Sequence, residues 1–263
     1  MNKAKLAITQ SNGKQQQDQT IARPDKQALT EKYFVERLMI LRSPEELKKY
    51  QRFFKFSDEQ PLKDDEFIGV RMGQVFALAK EFMDTAPDEI EKILENRIHE
   101  ARVGAVSMMD FQARSKKTLE ERKKELFDLY IRRHDRINSW DLVDRSAPYV
   151  VGSYLLDKPR DILYTLAHSK STWERRTAIV STLYFIGKGE VEDTFKIAEI
   201  LLTDSEDLIH KATGWALRYA GDKERAQLER FLDTYAAAMP RTALRYALEH
   251  FDKEQRDAYL KRK

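Results

Sequence analysis

The sequence predicts an all-α protein, a right-handed solenoid of HEAT-like helix pairs with a concave basic groove. Three observations carry that expectation. Past residue 28, apolar residues recur at three- and four-residue intervals, and no stretch alternates as a half-buried strand does. The 9 glycines and 7 prolines fall mostly at element ends, where helices start and stop. From residue 160 onward the helices come in pairs, with first members beginning near Asp161, Val191 and Lys223, 30 and 32 residues apart. A period of that size marks stacked two-helix repeats, each burying its apolar face on its neighbours.

Composition agrees. Charged residues make up 35% of the 263, well above the roughly 25% usual for globular domains. That excess fits an elongated stack with a high ratio of surface to core. The net charge of +3 and the sequence pI near 8.8 are mildly basic and compatible with a polyanionic partner. With no cysteine there is neither a disulfide framework nor a thiolate metal site, and the five scattered histidines have no zinc-ligand spacing. No metal site is therefore expected, and a reducing cytoplasm suits the chain. No apolar run approaches the roughly 18 residues of a membrane span, so no membrane partner is expected. Residues 1–28 read as a polar, Gln-rich, disordered arm and residues 29–263 as a single helical domain.

Taken in order, Tyr33, Phe34, Leu38, Ile40 and Leu41 mark a first helix. SPEELKKYQRFF follows, with Ser43 as N-cap and Glu46 completing a capping box. FKFSDEQPLKDDEF, residues 54–67, reads as a connecting loop. The next helix, IGVRMGQVFALAKEFMD, has a core face of Val70, Val75, Ala77, Leu78 and Phe82. Asp84 to Pro87 start the helix DEIEKILENRI, followed by HEARVGAVSMMDFQARS and LEERKKELFDLYIRRHDRI.

The second members of the downstream pairs are RRTAIVSTLYF, HKATGWALRY and MPRTALRYALEH, each with a basic residue near its start: Arg176, Lys211 and Arg241. RSAPYVVGSYL fits the same template through Arg145, and HEARVGAVSMM more loosely through Arg102. Second helices of successive repeats line the concave surface of a solenoid. Their basic ends would form a stripe along a groove, the footprint of a protein that follows a phosphate backbone. Charge at a helix end is otherwise an ordinary solvated surface.

SWDLVD, residues 139–144, sets Trp140 and Asp144 four residues apart, on one face of a helix. All three tryptophans lie in this segment, in TWERRTAIVSTLYF and in HKATGWALRY. Trp173, at a helix start, reads as core. Trp140 and Trp215 stand by helical spacing beside groove charge, and either core packing or a site suits them. Asp144 either pairs with Arg145 or Arg176 or serves a site of its own.

GVRMGQVFALAKEF, SWDLVDRSA, WERRTAIVSTL, KATGWALR and MPRTALRYALE, in that order and spacing between about residues 66 and 252, resemble the bacterial alkylpurine DNA glycosylase D family, HEAT-repeat proteins of alkylation repair. The resemblance implies a glycosylase that needs no cofactor. Its partner would be double-stranded DNA containing purines alkylated at N3 or N7, and a groove that must admit duplex DNA makes a monomer the simpler expectation. It implies Asp144 as catalytic carboxylate, Trp140 and Trp215 as groove tryptophans, and Arg176 as active-site arginine. Arg145, Arg175, Lys211, Arg218 and Arg241 would contact the DNA backbone. It also implies a lesion that stays largely stacked, where glycosylases in general extrude the base. An alternative is a non-catalytic HEAT-repeat protein binding bent or branched DNA, and a helical scaffold for protein partners is a third reading.

Overall fold

Helix α1 (Glu31–Ile40) begins where the Thr30 side chain accepts a hydrogen bond from the Tyr33 N–H, the capping interaction expected of a threonine before a helical run. It is the first of fourteen α-helices among the described residues, 29–53 and 65–262 of this computed structural model. The arm read over residues 1–28 and most of the loop read over residues 54–67 lie outside the described residues. The others are α2 (Pro44–Phe53), α3 (Met72–Glu81), α4 (Pro87–Leu94), α5 (His99–Arg114), α6 (Glu120–Arg132), α7 (Trp140–Ala147), α8 (Asp161–Ala167), α9 (Thr172–Ile186), α10 (Glu192–Ile200), α11 (Asp207–Gly221), α12 (Arg225–Tyr235), α13 (Arg241–Ala247) and α14 (Lys253–Lys261). One parallel bridge, Glu66 to Ile98, is the only extended pairing among the described residues. No helix among them is long and apolar enough to cross a membrane.

The helix pairs stack in two layers. In one layer α5, α7, α9, α11 and α13 each pack on the next; in the other α4 touches α6 and α8 touches α10. Between the layers α4 packs on α5, α8 on α9, α10 on α9 and α11, and α12 on α11. Each helix covers its neighbour's apolar stripe, and the buried core runs unbroken from Phe34 to Tyr259. Full burial of a Leu, Ile or Phe contributes about 1.5–3 kcal/mol, so the stack is held by many small contributions spread along its length.

Glycine sets the closest approaches in the first layer. A Cβ on Gly214 of α11 would meet the Ala243 carbonyl and the Tyr246 side chain of α13, and one on Gly152 would meet the Ser181 carbonyl and Tyr184 of α9. Gly152 closes a π-helical turn, Pro148–Gly152, that follows α7. Pro148 has no N–H to give the Asp144 carbonyl four residues back, so the α-helix stops at Ala147. The Ser153 N–H then bonds the Pro148 carbonyl at 3.0 Å.

Several sequence expectations are corrected in detail. Ile40 lies on the outer side of α1, 78% exposed. On α3 it is Ala79, not Ala77, that is buried. At 100° per residue, Val75, Leu78, Ala79 and Phe82 share a stripe and Ala77 falls outside it. Val70 is buried but precedes the helix. The capping box at Ser43 is half formed. Its Oγ accepts from the Glu46 N–H at 3.4 Å, but its own N–H goes to the Ile68 carbonyl at 3.2 Å. The Glu46 carboxylate instead meets Lys49 at 2.7 Å and Arg71 at 2.8 Å.

Candidate active site

Asp144 stands on α7 facing α9, and Arg176 reaches across to it. The guanidinium donates from Nε to Oδ1 at 2.9 Å and from Nη2 to Oδ2 at 2.8 Å, the bidentate geometry in which arginine fixes a carboxylate most firmly. Its Nη1 donates to the Leu208 carbonyl at the start of α11. One arginine thus ties three successive second helices together. Beneath it the buried Tyr130 hydroxyl lies 3.1 Å from Thr177 Oγ1 and His134 Nε2 lies 3.2 Å from the same oxygen, which holds that turn of α9 on α6.

Exposure separates the partners. The Arg176 side chain is 6% exposed, while that of Asp144 keeps 22%, so one edge of the carboxylate faces solvent. Burial pushes the Asp144 carboxyl above its ordinary range, although Arg176 pulls the other way; nearby Asp141 adds to the upward push. A carboxylate that is fixed, half desolvated and open at one edge can stabilise a positive charge that forms beside it. Of the two arginines weighed as partners for Asp144, it is Arg176 that pairs with it.

The tryptophans divide. Trp173 is buried at the start of α9, as its position in the sequence suggests. Trp140 opens α7 one turn before Asp144 and is 44% exposed. Trp215 is half-buried on α11 and packs against the core on one side. Seven residues separate it from Leu208, about 10 Å along the helix from the carbonyl that Arg176 holds.

Asp141, next to Trp140, has a partner that sequence reading did not find. Its Oδ2 lies 2.8 Å from His99 Nε2 at the start of α5. The His99 ring stacks on Phe67 with centroids 4.6 Å apart, and its Nδ1 is 3.7 Å from Asp65, which also pairs with the fully buried Arg102. Burial pulls His99 down, but Asp141 and Asp65 more than offset it and raise its pKa to about 9. The first turn of α7, which carries Trp140, is clamped to α5 by charge. Arg102, the loosest fit to the basic stripe, belongs to this interior network.

The stripe itself is engaged within the fold. Arg145 pairs with the fully buried Asp110 at 2.7 Å, donates to Ser107 Oγ at 3.0 Å and lies against the Phe76 and Phe111 rings at 4.8 and 4.9 Å. Arg175 grips the buried Asp204 at 2.6 Å. Lys211 pairs with Asp207 one turn back at 2.6 Å and Arg218 with the exposed Glu249. Arg241 donates to the Leu260 carbonyl at 2.5 Å. Arg145 and Arg175 are interior struts, whereas Lys211 and Arg218 sit in solvent-facing pairs that a phosphate can displace at small cost.

Between the π turn, α9 and α11 lies a cleft of about 490 Å³ walled by Tyr149, Tyr184, Trp215 and Tyr219, with Lys188 at its edge. Its ring pattern was present in the sequence as spacing: Tyr184 follows Arg176 by eight residues and Tyr219 follows Trp215 by four.

The profile of the family described as DNA alkylation repair enzyme matches residues 34–251. A solved structure titled a predicted DNA alkylation repair enzyme from Enterococcus faecalis is similar to this chain at 20% identity with a TM-score of 0.63, over 81% of this chain and 97% of its own. That likeness is one of fold. No curated protein matches the chain in sequence.

Proposed function

From the match over residues 34–251, which shows that this chain belongs to the DNA alkylation repair enzyme family, we propose that it is a DNA glycosylase. It hydrolyses the N-glycosidic bond of cationic N3- or N7-alkylated purines in duplex DNA. The single observation that carries this reading is the carboxylate of Asp144, fixed bidentately by Arg176 and open at one edge.

An alkylated purine already carries a positive charge, so no general acid is needed. When the bond from C1′ to the base nitrogen breaks, its electron pair neutralises the purine and positive charge appears on the deoxyribose. A carboxylate fixed beside C1′ stabilises that state more than the ground state. Water then adds to C1′ and loses a proton, which leaves an abasic site and a free alkylpurine. Trp140, one turn away, offers a ring face to the cationic sugar or base, an attraction of roughly 0.5–2 kcal/mol, and Trp215 does the same from α11.

Arg176 serves as a positioning residue rather than a phosphate ligand, because three of its five N–H donors go to Asp144 and Leu208 and its side chain is 6% exposed. Backbone phosphates fall to Lys211 and Arg218, with Arg241 near the end of the row. Arg145 and Arg175 shape the surface from within. A carboxylate about 4 Å from a unit positive charge at an effective dielectric near 20 gives about 4 kcal/mol. That corresponds to roughly a thousandfold in rate.

The test is release of 7-methylguanine from methylated duplex DNA by the wild type and by Asp144→Asn. Release by the wild type, slowed some hundred- to thousandfold in the variant with DNA affinity retained, supports the reading. Equal release by both proteins removes Asp144 from the chemistry, and no release by either removes the glycosylase.

A further inference from the structure

Apart from Trp215, the aromatic cleft has no part in the chemistry above. Its walls combine features that rarely serve packing alone. Tyr149 and Tyr184 meet edge to face with centroids 5.2 Å apart. Trp215 and Tyr219 stand one turn apart on α11, and Tyr219 is 42% exposed. Four rings therefore border a space open to solvent rather than filling the core. Its volume of about 490 Å³ falls within the roughly 300–1,000 Å³ of small-ligand sites.

Charge narrows the occupant. Along this layer Arg145, Arg175, Arg176, Lys211 and Arg218 are each paired with a carboxylate. Lys188, at the edge of the cleft, has no such partner. It is exposed at the end of α9, its ammonium lies 5.4 Å from the centroid of the Tyr184 ring, and no carboxylate pairs with it among the described residues. A cation without an anion, beside ring walls, fits a ligand that is flat and aromatic at one end and anionic at the other.

We propose that this cleft holds an unpaired nucleotide of a DNA strand, its base stacked on the rings and its phosphate on Lys188. The proposal rests on the reading that the protein acts on DNA. A base inside intact duplex presents only edges to a protein, so ring faces can engage only one that has left the stack. Trp215 is common to the cleft and to the proposed active site. The roughly 10 Å between it and Leu208 is a distance that one strand covers in about three nucleotides. The cleft would therefore favour DNA already carrying an unpaired nucleotide near the lesion.

The experiment compares fluorescence-anisotropy affinities for a matched duplex and for the same duplex with one unpaired adenosine. Stacking on aromatic side chains predicts a preference for the bulged DNA of about 5- to 100-fold in the wild type. Tyr219→Ala and Lys188→Ala should reduce it to about 2-fold or less, while Tyr219→Phe, which keeps the ring, retains it. Melting curves check that the variants fold, and Lys188→Ala, at an exposed site, provides the test if Tyr219→Ala does not. Equal affinity for the two DNAs in the wild type overturns the proposal, as does a preference that survives in both alanine variants. Displacement of bulged DNA by micromolar deoxyadenosine monophosphate assigns the cleft to a free nucleotide and overturns it also. Bulge preference without release of 7-methylguanine sinks the glycosylase and leaves the cleft. Release without bulge preference sinks the cleft alone.

Discussion

Replacing Arg176 by glutamine tests whether the arginine sets the charge state of Asp144. The substitution removes the hydrogen bonds at 2.9 and 2.8 Å and leaves a carboxylate in a largely desolvated place without its counter-charge. Breaking a buried pair by deleting one partner costs about 3–5 kcal/mol. Because Asp144 keeps 22% of its side chain exposed, water can partly replace the arginine, and the lower end, about 3 kcal/mol, is expected. For a domain of this size that lowers Tm by about 6–12 °C. The kinetic consequence has a definite sign. Burial already raises the Asp144 carboxyl and Arg176 opposes it, so removing Arg176 raises it further. The proposed chemistry uses the ionised form, and the ascending limb of the pH–rate profile must move to higher pH in Arg176→Gln. Arg176→Lys, which keeps the charge but loses the fork, should move it less. The assay is single-turnover release of 7-methylguanine across pH, with thermal melting alongside. An ascending limb that stays in place or moves to lower pH in Arg176→Gln refutes the role given to Arg176.

Four further outcomes are expected. His99, raised from 6.5 to about 9 by Asp141 and Asp65, contributes stability that is fully present below about pH 6.5 and is lost as pH rises through 9. Urea denaturation from pH 6 to 10 should show that loss in the wild type and a flatter profile in His99→Gln; identical slopes would contradict it. Arg145→Met leaves the buried Asp110 to Arg114 alone and should cost about 1–3 kcal/mol without changing the salt dependence of DNA binding. Lys211→Ala and Arg218→Ala should do the reverse, each reducing the slope of log affinity against log salt by about 0.9. Gly214→Ala drives a methyl into the Ala243 carbonyl and Tyr246 and should destabilise by about 1–3 kcal/mol in urea titrations. A neutral or stabilised variant would mean that α11 and α13 separate more easily than their packing implies.

How much of this was legible beforehand depends on the range of the interaction. The helix pairs could be read because apolar spacing is a local signal repeated three times, and α8, α10 and α12 begin at or within two residues of Asp161, Val191 and Lys223. Trp140 and Asp144 share a face because four residues on a helix fix that without tertiary information. The fate of each positive charge could not be read in the same way. Arg145, Arg175, Arg176 and Arg218 find carboxylates 29 to 35 residues away in either direction, about one repeat along the chain. The repeat that makes a row of basic residues also lays acidic residues from the neighbouring repeat beside it. A periodic cation therefore says where a helix end lies, and its availability to a ligand is decided by the next repeat. Lys188 stands outside that rule: it follows α9, and no carboxylate among the described residues meets it. In a stacked-repeat protein a cation that the neighbouring repeat leaves without a carboxylate can take a phosphate without displacing a partner, and one such lysine, Lys188, lies against the aromatic cleft.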